Sequence, residues 1–194
     1  MKASEVLGRG AVIREGGRKA GKVKDVIIDP TGKQVLGFVV RERPLKQARV
    51  ALWAGLQTIG PDNVIFDAAT NIIKADEAPE VRTVVRSKLK LKGRKLQTTA
   101  GKDLGEIDDV LFDEESGAVL GYEVSGRLFS SHQFLPPPPA MEIGKDIVFV
   151  APEVEATIQK GKGPQPEEGP QEEPQEEPEE EPQGEPQDER PEED

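Results

Sequence analysis

The chain has no cysteine and a single histidine, His132, in 194 residues. The first absence excludes disulfide frameworks, thiol chemistry and Cys-based zinc sites. The second leaves no His-rich metal site and removes most His-dependent catalytic triads. Aromatic residues make up only 4% of the chain. No stretch approaches the roughly 18 apolar residues that a membrane-spanning helix requires. Charges at Lys2, Glu5, Arg9, Arg14, Glu15 and Arg18 interrupt any apolar segment that could serve as an export signal. The expected address is therefore the cytoplasm.

Acid and proline are in excess, and they are concentrated in one place. Gly161 to Asp194 holds 15 acidic residues against two basic ones, Lys162 and Arg190, and 8 prolines, a local net charge of −13. The whole chain carries −11, so residues 1–160 carry +2. Proline recurs every four residues from Pro170 to Pro186. Such a segment cannot bury enough apolar surface to offset its ordering entropy, and its like charges repel, so it is expected to be a disordered acidic tail. At about 3.1 Å per residue in polyproline II, it would reach roughly 100 Å at full stretch.

The remaining chain repeats itself. An offset of 84 positions lays Gly21 to Asp29 on Gly105 to Asp113, Val35 to Phe38 on Val119 to Tyr122, and Ile59 to Asp62 on Ile143 to Asp146. Between Leu7–Phe66 and Leu91–Val150 about 15 of 60 positions are identical, which reads as a duplication. Within a copy, Lys22 to Asp29, Gln34 to Arg41 and Val50 to Trp53 are short, rich in Val, Ile and Phe, and bounded by turn residues. They are predicted strands. Asp29-Pro30-Thr31-Gly32 is a turn sequence, and Asp113 to Gly117 is its counterpart. Gly37 and Gly121 fall inside the second strand of each copy, where glycine marks a bulge or a close backbone approach. No helical crossover separates the strands, so a small barrel or sandwich is expected rather than a parallel sheet. Helix is confined to two short candidates, Pro79 to Arg86 and Glu153 to Lys160. A lone copy of about 60 residues would be marginally stable, so the two are expected to pack together.

Leu7-Gly8-Arg9, the Gly21 to Gly32 run, Val35 to Val40 and the late Leu52-Trp53-Ala54-Gly55 to Asp62 segment occur in an order that resembles the PRC-barrel family. The family's Gly-x-[VI]-x-Asp-[VIL]-x-x-Asp strand and turn, followed by Ile-Gly-x-Asp, is met by both copies, over residues 4–66 and 88–150. In the first copy Trp53 matches the family's aromatic while Leu52 replaces the usual proline. In the second, Pro136 matches the proline and Pro137 replaces the aromatic. The resemblance implies small β-barrels like the cytoplasmic domain of the photosynthetic reaction-centre H subunit and the C-terminal domain of the small-subunit ribosome maturation factor. In those proteins the module docks onto other proteins or assemblies and is not a catalytic unit. The expected fold is all-β: two tandem PRC-type barrels with little helix, followed by the disordered acidic tail. Repeat 1 spans 1–67, a linker 68–90, repeat 2 91–151, a short connector 152–160 and the tail 161–194.

The candidate chemistry is sparse. Asp25 with Asp29, and Asp108 and Asp109 with Asp113, are pairs that could serve acid/base chemistry or an oxygen-ligand cation site. The same acids recur in both copies within turn sequences, without a nucleophile or a phosphate-binding loop. Asp29 and Asp113 therefore read as turn residues, and Asp25 and Asp109 as bulge residues, alongside Gly21, Gly37, Gly105 and Gly121. His132 follows Phe129-Ser130-Ser131, but adjacency in sequence does not make a Ser-His relay, and it reads as a loop histidine. Pro136 to Pro139 reads as a rigid corner. Leu7 to Phe66 contains 11 Lys and Arg and is net basic, whereas Leu91 to Val150 has 6 against 10 acids. Arg41, Arg43, Lys46 and Arg49 cluster on one connection of the first copy, with Trp53 following. They are the candidate partner- or anion-binding residues.

No enzyme activity, cofactor or metal is expected. The expected function is that of an adaptor docking a partner protein, with the tail modulating the contact and able to fold back on repeat 1. RNA or ribosome association through the basic face is the alternative. An accessory role on a membrane electron-transfer complex rests on the reaction-centre resemblance alone.

Overall fold

The computed structural model describes residues 1–42, 48–77, 81, 82, 84, 85, 90–126 and 132–161. Two equivalent seven-stranded sheets account for it. The first contains β1 (Gly10–Ile13), β2 (Arg18–Ile28), β3 (Val35–Arg41), β4 (Arg49–Leu52), β5 (Leu56–Ile59), β6 (Asn63–Phe66) and β7 (Ile72–Ile73). The second contains β8 (Lys95–Thr98), β9 (Asp103–Phe112), β10 (Val119–Ser125), β11 (His132–Leu135), β12 (Met141–Ile143), β13 (Ile147–Val150) and β14 (Gln159–Lys160). Their orders, β5-β6-β1-β2-β3-β4-β7 and β12-β13-β8-β9-β10-β11-β14, coincide once the copies are matched. The fold is thus the expected all-β pair. Neighbours are antiparallel except β1 with β6 and β8 with β13, where the chain returns in parallel after the β5–β6 or β12–β13 hairpin.

The hairpins follow from local chemistry. The Asp29 carboxylate accepts from the backbone of Lys33 (2.7 Å) and Gln34 (2.8 Å), and the Gly32 amide donates to the Asp29 carbonyl (2.9 Å). In the second copy Asp113 accepts from the Ser116 amide (2.7 Å) and hydroxyl (2.6 Å), and the Gly117 amide donates to the Asp113 carbonyl (2.9 Å). Both long hairpins carry register shifts at matched positions, which leave Leu36 and Leu120 without a cross-strand partner and curl each sheet. Gly37 and Gly121 have φ of 153° and 155°. A Cβ on Gly37 would collide with the Ala51 carbonyl, and one on Gly121 would meet the Phe134 ring and stand 2.7 Å from the Leu135 carbonyl oxygen. Glycine is required there because the neighbouring strand lies against the backbone.

The core is shared. One continuous cluster joins Val23, Phe38, Val40 and Phe66 of the first copy to Leu96, Ile107, Phe112 and Tyr122 of the second. Two residues per copy stitch the seam. The Val35 amide donates to the Gly117 carbonyl (2.8 Å) and the Val119 amide to the Lys33 carbonyl (2.9 Å), with Gln34 and Ala118 bridged antiparallel between them. These residues are equivalents at the 84-residue offset, so the two hairpin turns meet about a pseudo-twofold axis. The segments before each copy cross over in the same sense. Lys2 bridges Leu111, and the helix α1 (Ala3–Val6) follows it against β9. Val81 and Val84 pack on Ile27 and Val50.

Three details differ from the sequence expectations. Trp53 leaves β4 and starts a 3₁₀ turn, Trp53–Gly55. Glu153 to Lys160 is not helical throughout: Pro152–Thr157 forms a 3₁₀ helix, and Gln159–Lys160 then pairs with β11, whose edge offers backbone partners. The stretch 68–90, read as a linker, supplies β7, which pairs with β4. Of the other helix candidate, Val81, Arg82, Val84 and Val85 are helical, and the rest of Pro79 to Arg86 lies outside the described residues. The tail beyond Gly161 does too. Among the described residues no helix is long and apolar enough to cross a membrane.

Gly37→Ala and Gly121→Ala are each expected to destabilise the protein by about 1–3 kcal/mol. Because the core is continuous, each should shift one common unfolding transition. Urea denaturation followed by Trp53 fluorescence and by far-UV circular dichroism checks both points. Two separate transitions would contradict the shared core.

Candidate functional site

The basic cluster is partly described. Arg41 ends β3 opposite Lys22 of β2, and Arg49 opens β4 opposite Val40, its guanidinium donating to the Ala20 carbonyl (3.2 Å). Arg43 and Lys46 lie outside the described residues. Trp53 stands at the other end of β4, about 13 Å along the strand from Arg49. Its half-buried ring packs on Phe38 (centroids 5.8 Å apart) and edge-on to Phe112 of the other copy (6.0 Å). The fold therefore assigns Trp53 to the seam and leaves Arg41 and Arg49 at the opposite end of the β3–β4 pair.

The acids are separated and occupied. Asp29 and Asp113 hold their turns, and the Ser116 hydroxyl and amide keep the Asp113 carboxyl below the usual carboxylate range. Asp25 pairs with the Lys90 amine (3.0 Å) and accepts from the Val26 amide. Asp109 is buried and accepts from the amides of Ser4 (3.1 Å) and Val110 (2.9 Å). Each of these two aspartates thus tethers the segment that precedes the other copy. Gly21 and Gly105 lie close against the backbone at the ends of β3 and β10, where a Cβ would collide. Asp108 accepts from the Ser125 hydroxyl (3.0 Å) and faces His132 Nδ1 (3.0 Å). The serine thus bonds the carboxylate rather than the imidazole, which is not the order of a nucleophile relay. Ser130 and Ser131 are outside the described residues.

The seam breaks its own symmetry, and a cleft results. On one side the Tyr122 hydroxyl, its proton held more tightly because burial raises its pKa, donates to the Gly32 carbonyl. The Lys33 amine also donates to the Pro139 carbonyl (2.9 Å), so the first copy's turn is fastened against the strand leading into β12. At the matching positions across the axis stand Phe38, with no hydroxyl, and Gly117, with no amine. There a cleft of about 710 Å³ opens between β5 and the Phe112–Glu115 turn. Trp53 and Phe112 line it, with Leu56, Gln57, Thr58 and Ile59 along one wall and Asp113, Glu114 and Glu115 along the other. Leu120, 39% exposed, borders it, whereas its equivalent Leu36 packs beside Val81 and Val84. Of these residues, sequence reasoning had singled out only Trp53 and Asp113. The signal available was the mismatch between the copies at Phe38/Tyr122, Lys33/Gly117 and Leu52–Gly55 against Pro136–Pro139.

Compared with models of known protein families, the chain matches the PRC-barrel domain over residues 1–70 and again over 89–155. No curated protein matches the chain significantly. The first matched segment includes residues 1–6, which close on the second sheet. Within that closure the Lys2 amine lies 2.6 Å from the Glu123 carboxylate, 7% exposed, and this bond raises the Lys2 pKa above its ordinary value.

A raised lysine pKa adds stability that is fully present below about pH 10.5 and is lost as pH climbs through the folded value. Lys2→Met should therefore cost about 1–3 kcal/mol at pH 8 by leaving a buried carboxylate without its cation. The deficit should shrink as wild type and variant are melted at increasing pH above 10.5.

Proposed function

The chain belongs to the PRC-barrel domain family through two copies, and from that premise we propose that it is a non-catalytic adaptor docking a partner protein through its paired modules. Domains of this family are generally non-catalytic modules with binding or assembly roles. The observation that carries the reading is the composite cleft: its walls come from different copies, so it exists only in the assembled pair. A partly exposed tryptophan, Trp53, bordered by exposed polar residues is a common make-up of a protein interface. The acidic tail modulates the contact through its charge, which attracts basic surfaces and repels acidic ones.

One observation favours a second reading. Arg18, Lys19, Lys22 and Lys24 are all exposed along β2. A run of exposed cations on one strand attracts an anion such as an RNA phosphate.

Affinity capture from native lysate, with the full chain and with residues 1–161, separates these readings. The adaptor reading expects both forms to recover the same protein saturably and in the presence of nuclease. Recovery of only salt-labile, tail-dependent material would overturn it. The RNA reading expects residues 1–161 to bind a single-stranded RNA at 50 mM salt, with affinity falling steeply as salt rises. Absence of binding at that salt removes this reading.

A further inference from the structure

The wall of the cleft formed by β5 is a sheet edge. β5 pairs with β6 on one side, and no strand pairs on its other side among the described residues. All four β5 residues line the cleft, and Gln57 and Thr58 are exposed. An edge open to solvent presents backbone donors and acceptors to an incoming strand. Proteins leave such an edge bare at the risk of aggregation unless it is covered or used.

The surroundings select what can be added. The facing wall carries Asp113, Glu114 and Glu115, and among the described residues no lysine or arginine side chain lines the cleft. The Met1 ammonium, which donates to the Phe112 carbonyl (2.9 Å), offsets part of this charge. Glu114 and Glu115 are exposed and point to a basic ligand. The half-buried Trp53 and the exposed Leu120 offer apolar contact to alternate side chains of an extended segment, while Phe112, fully buried, backs Trp53 from beneath. The chain's own tail is a poor occupant, since 15 acids against two bases would meet an acidic wall.

We propose that the cleft binds an extended, lysine- or arginine-bearing peptide segment of a partner protein by strand addition to β5. This rests on the adaptor reading and names the chemistry of its partner. Backbone hydrogen bonds along Leu56–Ile59 supply register, Trp53 and Leu120 take the inward side chains, and Glu114 and Glu115 take the basic ones. The duplication supplies an internal comparison. The matching surface beside β12 is fastened by Lys33 and Tyr122, so the two copies divide into a bound-up face and a receiving face.

The test uses the full chain and an acetylated, amidated Lys-Val-Lys-Val-Lys-Val peptide, which spans about 20 Å extended against about 14 Å for β5. Saturable binding at 50 mM salt is expected by fluorescence anisotropy. Amide NMR shifts should concentrate at Leu56–Ile59 and at Glu114 and Glu115. Methylating alternate backbone nitrogens of the peptide should weaken binding about tenfold or more, since it removes strand hydrogen bonds and leaves charge intact. The Glu-Val counterpart should not bind. Glu114→Lys with Glu115→Lys should weaken binding about tenfold, with the melting temperature unchanged because both side chains are exposed. Equal affinity for the methylated peptide, shifts confined to the β2–β3 face, dimerisation through β5 seen by sedimentation, or no binding at 50 mM salt would each overturn the proposal. A partner captured from lysate that leaves the β5 amides unmoved overturns strand addition while the adaptor reading stands.

Discussion

The seam between the two hairpin turns constrains everything else in this protein. Val35 and Val119 each donate a backbone hydrogen bond to the opposite turn, at Gly117 and Lys33, so neither copy completes its turn region alone. Each such bond is worth about 1 kcal/mol net, but leaving its groups buried and unpaired costs more, so the pairing specifies the arrangement more than it stabilises it. The carboxylates of Asp29 and Asp113 shape these turns from within, which ties the local turn sequence to the tertiary contact. The continuous apolar core lies beneath. A copy of about 60 residues would bury too little surface to be secure alone, and the shared core meets that need.

Duplication creates the seam, and divergence gives it two different sides. The substitutions that distinguish the sides are few: a hydroxyl added at Tyr122 relative to Phe38, an amine present at Lys33 and missing at Gly117, and a proline run in place of Leu52–Gly55. One side is consequently tied down by Gly32, Pro139 and their donors, and the other holds the half-buried Trp53 and an acidic wall. Charge divides in the same way. Strand β2 of the first copy carries exposed Arg18, Lys19, Lys22 and Lys24, and the turn of the second carries exposed Glu114 and Glu115.

Much of the fold was legible from pattern. The offset of 84 residues, the Asp and Gly positions of the turns and the Val- and Ile-rich segments between them all depend on neighbours a few residues apart, or on a repeat that is visible without coordinates. Less was legible at the ends of elements. Trp53 reads as the end of a strand by composition but enters a 3₁₀ turn and packs on Phe112, a residue of the other copy. Gln159 and Lys160 read as the end of a helix, yet they pair with β11, a partner that sequence order does not reveal.

The cleft divides along the same line. Composition and repetition alone establish an all-β duplicated body, a segregated acidic tail and a shortage of the residues on which metal and nucleophile chemistry depend, because these follow from residue types and local spacing. Which aspartate tethers which segment, why Trp53 leaves the basic cluster, and where one copy's edge strand faces the other's acidic turn depend on contacts between residues more than 50 positions apart. Those contacts form only when the two copies bury a common core, and that burial was decided by the tertiary structure.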